Sequence, residues 1–520
     1  MKLNNIFSKK IFPIIFLFLF SLLINQYYGN RGVYPLDSFI IFDAGFNVIS
    51  GQHPFKDYWS ITGPLLDYFQ SFFFLIFGIN WFSYVLHASA MNMALAIFSF
   101  YFFCNLNLPR VYALIYSLGI SLLAYPSAGT PFVDHHAVIF SVMALYSLSI
   151  AILNKNNLFW LLTSTTIILS FFSKQIPSAY ILIFFSIFIL IYIIVNKSFT
   201  KNNLLYLFLG FLFPIVIISI LFFINQIPII NFLNQYIYYP MNIGDERIST
   251  LNIGIKNLIG QFKLIYISII PLIAILFVLI KKREISLKQK NEIFVLLLFL
   301  GTILIFIYCQ LVTKNQILIF FLIPILLAVS HAYIIKYLNK KYIIYLILIF
   351  FIFSTTKNHI RFNHEKKFME LENVNFKVAE DAGQIDKKLS GLKWISSNYS
   401  QDPLKEINLL IDTKNILINR KENKIIISHY NFFSAILENN FPSPNKWYDR
   451  LSFPNYDNKF YKIYKEFFMS KIINNKIEYV YAIGKNKEHY FLKLIDHNEC
   501  VVLKKINELL TEIDIKKCNF

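Results

Sequence analysis

The chain has 520 residues, of which 56% are hydrophobic, with 56 Phe, 32 Tyr and a net charge of +19. One soluble core of this length cannot bury that much apolar surface, so the composition excludes an ordinary soluble protein and implies an integral membrane protein. The Lys and Arg residues fall in short loops between apolar runs and in a polar tail, not in an interleaved basic-aromatic patch. The charge therefore points to membrane topology and not to nucleic acid.

The N-terminus "MKLNNIFSKKIFPIIFLFLFSLLINQYYGN" has a basic start and an apolar stretch over about 11–26. No small-x-small cleavage site follows, so it reads as an uncleaved first span. Further runs long enough to span lie near 82–104, 110–125, 136–153, 158–173, 177–196, 204–224, 264–280, 293–311, 317–335 and 342–355. Each is matched against a hydrocarbon layer of about 30 Å. The stretch "GPLLDYFQSFFFLIFG", Gly63 to Gly78, is ambiguous, and counting it as a span inverts everything after it.

Loop charge decides between the two topologies, because short cytoplasmic loops collect Lys and Arg. Without that span the inner loops hold 15 such residues, including "KKREISLKQK" and "KYLNKK", against 7 in the longer outer loops. This predicts about eleven spans, N-terminus in and C-terminus out. Gly63–Gly78 then dips into the outer leaflet or lies along its interface.

After about residue 356 the composition turns polar, with strand-like runs at Ile407–Ile411, Lys424–Ser428 and Ile477–Ile483 and helix-like runs at Phe432–Glu438 and Phe460–Ile472. The expected division is a transmembrane module over 1–356, with its first external loop at 27–81, and a small extracytoplasmic α/β domain over 357–520. Cys104, Cys309, Cys500 and Cys518 show no metal-ligand spacing, and at most Cys500 and Cys518 pair.

The acids gather in the external loops. In "YPLDSFIIFDAGFNVISGQHPFKDYW", Ile40, Ile41, Ala44 and Val48 form the apolar face of a surface helix, with Asp43 opposite and Asp37 at its start. Asp37 reads either as a helix N-cap or as a chemical group. Asp57 either pairs with Lys56 or caps a turn. In "YPSAGTPFVDHHAV", Asp134 either opens a helix or contacts substrate. Its neighbours His135 and His136 point about 100° apart on a helix, which makes them poor co-ligands for one metal. Lys174 and Gln175 sit at the lipid-water boundary in "FFSKQIPSAY", where a snorkelling lysine is the plain alternative. The later loop adds Tyr236, Tyr238, Tyr239 and Arg247 as groups able to stack on a sugar or hold a phosphate.

The order of these features resembles the first external loop of the GT-C glycosyltransferases of the ArnT, protein O-mannosyltransferase and RgtA/B/C/D-like type, over roughly residues 10–200: an acid opening an interfacial helix, a Gly about fourteen residues on, a "PFKDYW" turn, then a Gly-Pro-led apolar segment. The resemblance implies a polytopic GT-C-like enzyme in the cytoplasmic (inner) membrane. It would transfer a sugar from a polyprenyl-phosphate donor to a cell-envelope glycan, lipid or protein, with Asp37 as base and Asp134 as a second catalytic acid. Asp43, Lys56, Asp57, His135, Lys174, Gln175, Tyr238 and Arg247 would bind substrate. No cofactor is required by this reading, and a divalent cation is the one candidate. Where ArnT-type members carry a lysine ahead of Pro-Pro, this chain has Thr62 and Gly63 in "SITGPLLDY", and Lys56 is the nearest replacement. The rival readings are a lipid-linked oligosaccharide polymerase or ligase, a flippase, and a non-catalytic envelope assembly protein.

Overall fold

The computed structural model describes residues 11–196, 199–251, 254, 256–281, 286–313, 319–495, 498–518 and 520. Lys2, Lys9, Lys10, Lys197, Lys282, Arg283 and Lys314, which enter the loop-charge comparison, lie outside the described residues. The chain is mostly helical. Among the described residues eight helices are long and apolar enough to cross a membrane: Ile11–Gly29, Trp81–Asn105, Val133–Asn154, Gln175–Val195, Lys201–Ile224, Lys263–Ile280, Leu287–Thr313 and Lys341–Met369. Three shorter apolar helices, Arg110–Leu123, Asn157–Ser173 and Leu322–Tyr337, fill the remaining places where spans are expected.

Local chemistry sets the starts of these helices. Asn80 accepts from Ser83 N, Asn156 from Leu158 N and Thr200 from Asn203 N, so each satisfies a backbone donor that the first helical turn leaves free. Val133–Asn154 is the central helix, with every residue from Val133 to Ile152 buried. It packs on Trp81–Asn105, Asn157–Ser173, Gln175–Val195 and Leu287–Thr313. Several of its polar side chains bond within the protein: Ser141 Oγ lies 2.9 Å from Ser170 Oγ, and Ser149 Oγ donates to Leu145 O at 2.7 Å.

The ambiguous segment forms a 13-residue helix, Leu65–Phe77. At 1.5 Å per residue it is about 20 Å long, and its two faces differ. Leu65, Leu66, Asp67, Gln70 and Phe74 face inward and Phe72, Leu75, Ile76 and Phe77 are exposed, which is the pattern of an interfacial helix packed on Ile40–Ile49.

Beyond the last span the chain forms two antiparallel two-residue strands, β1 (Glu380–Asp381) and β2 (Lys393–Trp394), then helices and a four-stranded sheet. The sheet contains β3 (Lys424–Ser428), β4 (Tyr479–Ile483), β5 (Val502–Lys505) and β6 (Leu510–Asp514) in the order β3-β4-β6-β5, with β3 and β4 parallel. Ile407–Ile411, expected as a strand, belongs instead to the helix Pro403–Asn419. Asp402 caps it through Lys405 N, Pro403 sits in its first turn, and Glu406, Ile407, Leu410, Thr413 and Leu417 are buried at helical spacing. The sequence reading assigned no element to the β5–β6 hairpin. Cys500 and Cys518 form a disulfide at its open end.

The two ends of the bundle differ. At one end Asn154 Nδ2 donates to Asn105 Oδ1 at 2.9 Å, Asn196 Nδ2 to Asn291 Oδ1 at 2.7 Å, and Lys336 and Tyr337 both donate to Glu292. These residues come from the predicted inner loops and their flanks. At the other end the predicted outer loops meet the C-terminal region. Gly32 N donates to Lys393 O at 2.9 Å, Trp59 N to Pro444 O at 2.7 Å, and Asn458 Nδ2 to Asn242 Oδ1 at 2.6 Å.

Candidate functional site

Asp37 lies in a short helix, Pro35–Ser38, whose N-cap Tyr34 has no side-chain cap; the following helix, Ile40–Ile49, has none either. Asp37 therefore caps neither helix. Its Oδ1 is buried with no hydrogen-bond partner. Burial pushes its carboxyl up to about 7, with the charges of Asp134, Asp449 and Glu370 adding to the rise and the Lys174 ammonium opposing it.

Asp134 does not cap its helix either. Both its oxygens accept from Lys174 Nζ at 2.7 Å, and the carboxyl is 2% exposed against 15% for the lysine. The Lys174 corner is fixed by the first loop. Gly63 N donates to Ser173 O at 3.1 Å, and a Cβ on Gly63 would stand 1.7 Å from Phe172 O, so only glycine permits this approach. Gln175 Nε2 donates to Ile61 O at 2.9 Å and Tyr236 O at 2.6 Å. Burial draws the Arg247 guanidinium down, while Asp134 and Asp449 oppose that shift. Asp37, Asp134, Lys174 and Arg247 thus share one electrostatic neighbourhood, completed by Asp449 and Glu370, which the sequence reading did not single out.

The remaining residues go elsewhere. Asp43 accepts from Ser434 Oγ at 3.1 Å and Ala435 N at 3.0 Å, fastening the helix Phe433–Leu437 to the first loop. Lys56 Nζ donates to Asn225 O at 2.9 Å. Asp57 accepts from His53 N at 2.9 Å, closing a turn, and faces Lys471 Nζ at 3.5 Å. His135 Nε2 lies 3.2 Å from Ser127 Oγ, with its Nδ1 buried and unpartnered. His136 diverges from it into a buried chain: Tyr125 OH stands 2.6 Å from His136 Nδ1, His136 Nε2 3.1 Å from His87 Nε2, and His87 Nδ1 3.0 Å from Gln70 Oε1. Tyr238 is exposed, while Tyr236 is buried and Tyr239 OH donates to Leu451 O at 3.2 Å.

At Thr62 and Gly63 a cation arrives from another part of the chain. Lys446 Nζ donates to Thr62 Oγ1 at 2.9 Å and pairs with Asp67, both side chains nearly fully buried, while Tyr58 OH donates to the other Asp67 oxygen at 2.9 Å. Sequence order could not reveal a lysine supplied from so far along the chain.

A cavity of 310 Å³ separates Tyr34, Pro35 and Leu36 from the carboxyl ends of the parallel strands β3 and β4, which bring His429, Lys485 and Lys487 to it. Open α/β sheets bind ligands at that edge. Burial lowers the Lys487 ammonium to about 8, with Asp449 opposing. Among the described residues no three carboxylate, imidazole or thiol groups converge as a metal site, and both Asp134 oxygens are already engaged by an ammonium.

Fold and site define a multi-pass helical membrane protein with a cluster of charged side chains on its loops and a C-terminal α/β region. No family model matches the sequence, and no curated protein does. Among solved structures the chain is similar to the archaeal oligosaccharyltransferase AglB from Archaeoglobus fulgidus, determined in complex with an inhibitory peptide and a dolichol-phosphate. The identity is 9% and the TM-score 0.47, over 90% of this chain and 69% of that one.

Proposed function

We propose that the chain is a glycosyltransferase that takes a sugar from a polyprenyl-phosphate donor and passes it to a cell-envelope acceptor at the outer face of the cytoplasmic membrane, with Asp37 as general base. The observation that carries this reading is the buried, unpartnered Asp37 Oδ1 beside the Asp134–Lys174 pair. A buried carboxylate oxygen that no protein group engages has its acceptor capacity left for a substrate hydroxyl. A carboxyl raised to about 7 is matched to proton transfer near neutral pH.

In the proposed step Asp37 accepts the proton of an acceptor hydroxyl as that oxygen attacks the anomeric carbon. The bond from that carbon to the carrier phosphate oxygen breaks, and the phosphate leaves with the electron pair. Lys174 and Arg247 supply positive charge as the phosphate gains negative charge. Asp134 holds the ammonium in place through both oxygens.

The sidedness rests on the charge asymmetry of the loops and is supported by the Cys500–Cys518 disulfide, since disulfides persist in oxidising compartments. The division into a transmembrane module over 1–356 and an extracytoplasmic domain over 357–520 is part of the same proposal. The test is Asp37→Asn in a transfer assay with the deletion strain's accumulated lipid-linked sugar as donor. The variant should fold and bind donor while transfer falls at least about a hundredfold; transfer at close to the parent rate would reject Asp37 as base.

A further inference from the structure

A second cavity, of 690 Å³, opens in the C-terminal region between the loop 450–457, the start of the helix Tyr461–Asn474 and the short helix Glu488–Leu492. Its volume falls within the range of roughly 300–1,000 Å³ typical of small-molecule sites. Aromatic rings form much of its wall. Phe453 stacks on Tyr464 with centroids 5.2 Å apart and meets Tyr490 edge-on at 5.4 Å, while Tyr456 contacts Tyr461 at 5.4 Å. Tyr456 is nevertheless 80% exposed, a large ring held at the mouth with most of its surface uncovered. The polar lining includes Arg450, Asp457, His489 and Lys493.

These groups select a ligand by chemistry. A pyranose presents aliphatic C–H on its faces and hydroxyls around its edge, which suits flat rings interleaved with polar side chains better than a purely apolar ligand would. Two fixed cations, Arg450 and Lys493, outnumber the single carboxylate of Asp457, and a guanidinium binds carboxylate or phosphate through two parallel hydrogen bonds. The position ties the cavity to the charged cluster around Asp37. Arg450 directly follows Asp449, whose charge acts on Asp37 on one side and on Tyr490, in the cavity wall, on the other.

We infer that this cavity is a subsite for an acidic saccharide, bearing a carboxylate or a phosphate, and that this saccharide is the acceptor; the second clause rests on the glycosyltransferase reading. The full chain in detergent micelles is applied to a printed array of microbial glycans containing uronic-acid, phosphorylated and neutral members, alongside Tyr456→Ala and Arg450→Gln. Both substituted side chains are exposed, so thermal unfolding should be unchanged. Acidic glycans should be retained at least about tenfold above neutral ones, Tyr456→Ala should lower all retention about tenfold, and Arg450→Gln should remove the acidic preference. The uronic-acid and phosphorylated arms identify which anion is recognised. No retention by the parent chain, equal retention of neutral glycans, or retention unchanged by both substitutions would overturn the inference. Asp37→Asn separates it from the transfer reading, because that variant should keep the array pattern while losing transfer. A normal transfer rate with an intact pattern rejects the base and leaves the subsite.

Discussion

The first external loop holds two acids with opposite fates. Asp67 is fully buried with both oxygens engaged, one by Lys446 and the other by Tyr58. Asp37 has a buried oxygen that no protein group engages, and the charges that act on it are those of Asp134, Asp449 and Glu370 against the single ammonium of Lys174. The first arrangement is what a carboxylate needs to hold two parts of a chain together; the second leaves an acceptor unsatisfied by the protein. Glu292, at the far end of the bundle, repeats the Asp67 pattern with Lys336 and Tyr337. Burial alone therefore does not mark function in this molecule, and the state of each oxygen separates structural acids from the candidate base.

The strongest way to break this comparison is at Lys446. Lys446→Met leaves the Asp67 carboxylate buried without its cation, and such a loss costs about 3–5 kcal/mol. Thermal unfolding and limited proteolysis should show the C-terminal region released from the first loop, and an unchanged melting temperature would remove Asp67 from the structural class. Lys174→Gln acts on the other arrangement. It should weaken donor use by about 1.5–3 kcal/mol, as expected for a charge-assisted contact. It should also move the acid limb of the pH–rate profile to higher pH, because the ammonium is the charge that lowers the Asp37 pKa. A merely snorkelling lysine would move neither quantity. The smallest effect is expected at Lys56, which donates to Asn225 O and to none of the clustered acids. Lys56→Ala should cost about 0.5–1.5 kcal/mol of stability with transfer per folded molecule unchanged, and a selective loss of transfer would bring Lys56 back into the site.

Much of the fold was legible because a membrane imposes strong composition on each span. The apolar runs located the helices, and the charge imbalance excluded Leu65–Phe77 as a span, in keeping with its short amphipathic form. Ile407–Ile411 misled because a short run of Ile and Leu fits a strand or a helix, and the deciding cap, Asp402 with Pro403, lies just upstream. The β5–β6 hairpin was hidden by its outer strand, Val502–Lys505, which is exposed along its whole length. Within the charged cluster, Asp37, Asp134, Lys174 and Arg247 stood out as charges in the loops between apolar runs. Asp449, Glu370 and Lys446 did not, because they reach the first loop only through tertiary packing of the C-terminal region, and no local pattern encodes that.

The base assignment is tested most directly by pH. A carboxyl raised to about 7 is deprotonated above that value and protonated below it, whereas an unfolded aspartate titrates near 3.8. The folded state therefore binds the proton more tightly across this window, so as pH falls from 7 toward 4 the Asp37 contribution to stability improves while the base is lost. For the parent chain, kcat/KM should fall tenfold per pH unit below an acid limb near 7, with Asp37→Asn retaining only a residual rate that lacks this limb. A limb near 4, or a limb near 7 that survives in Asp37→Asn, would contradict the assignment of Asp37 as the base.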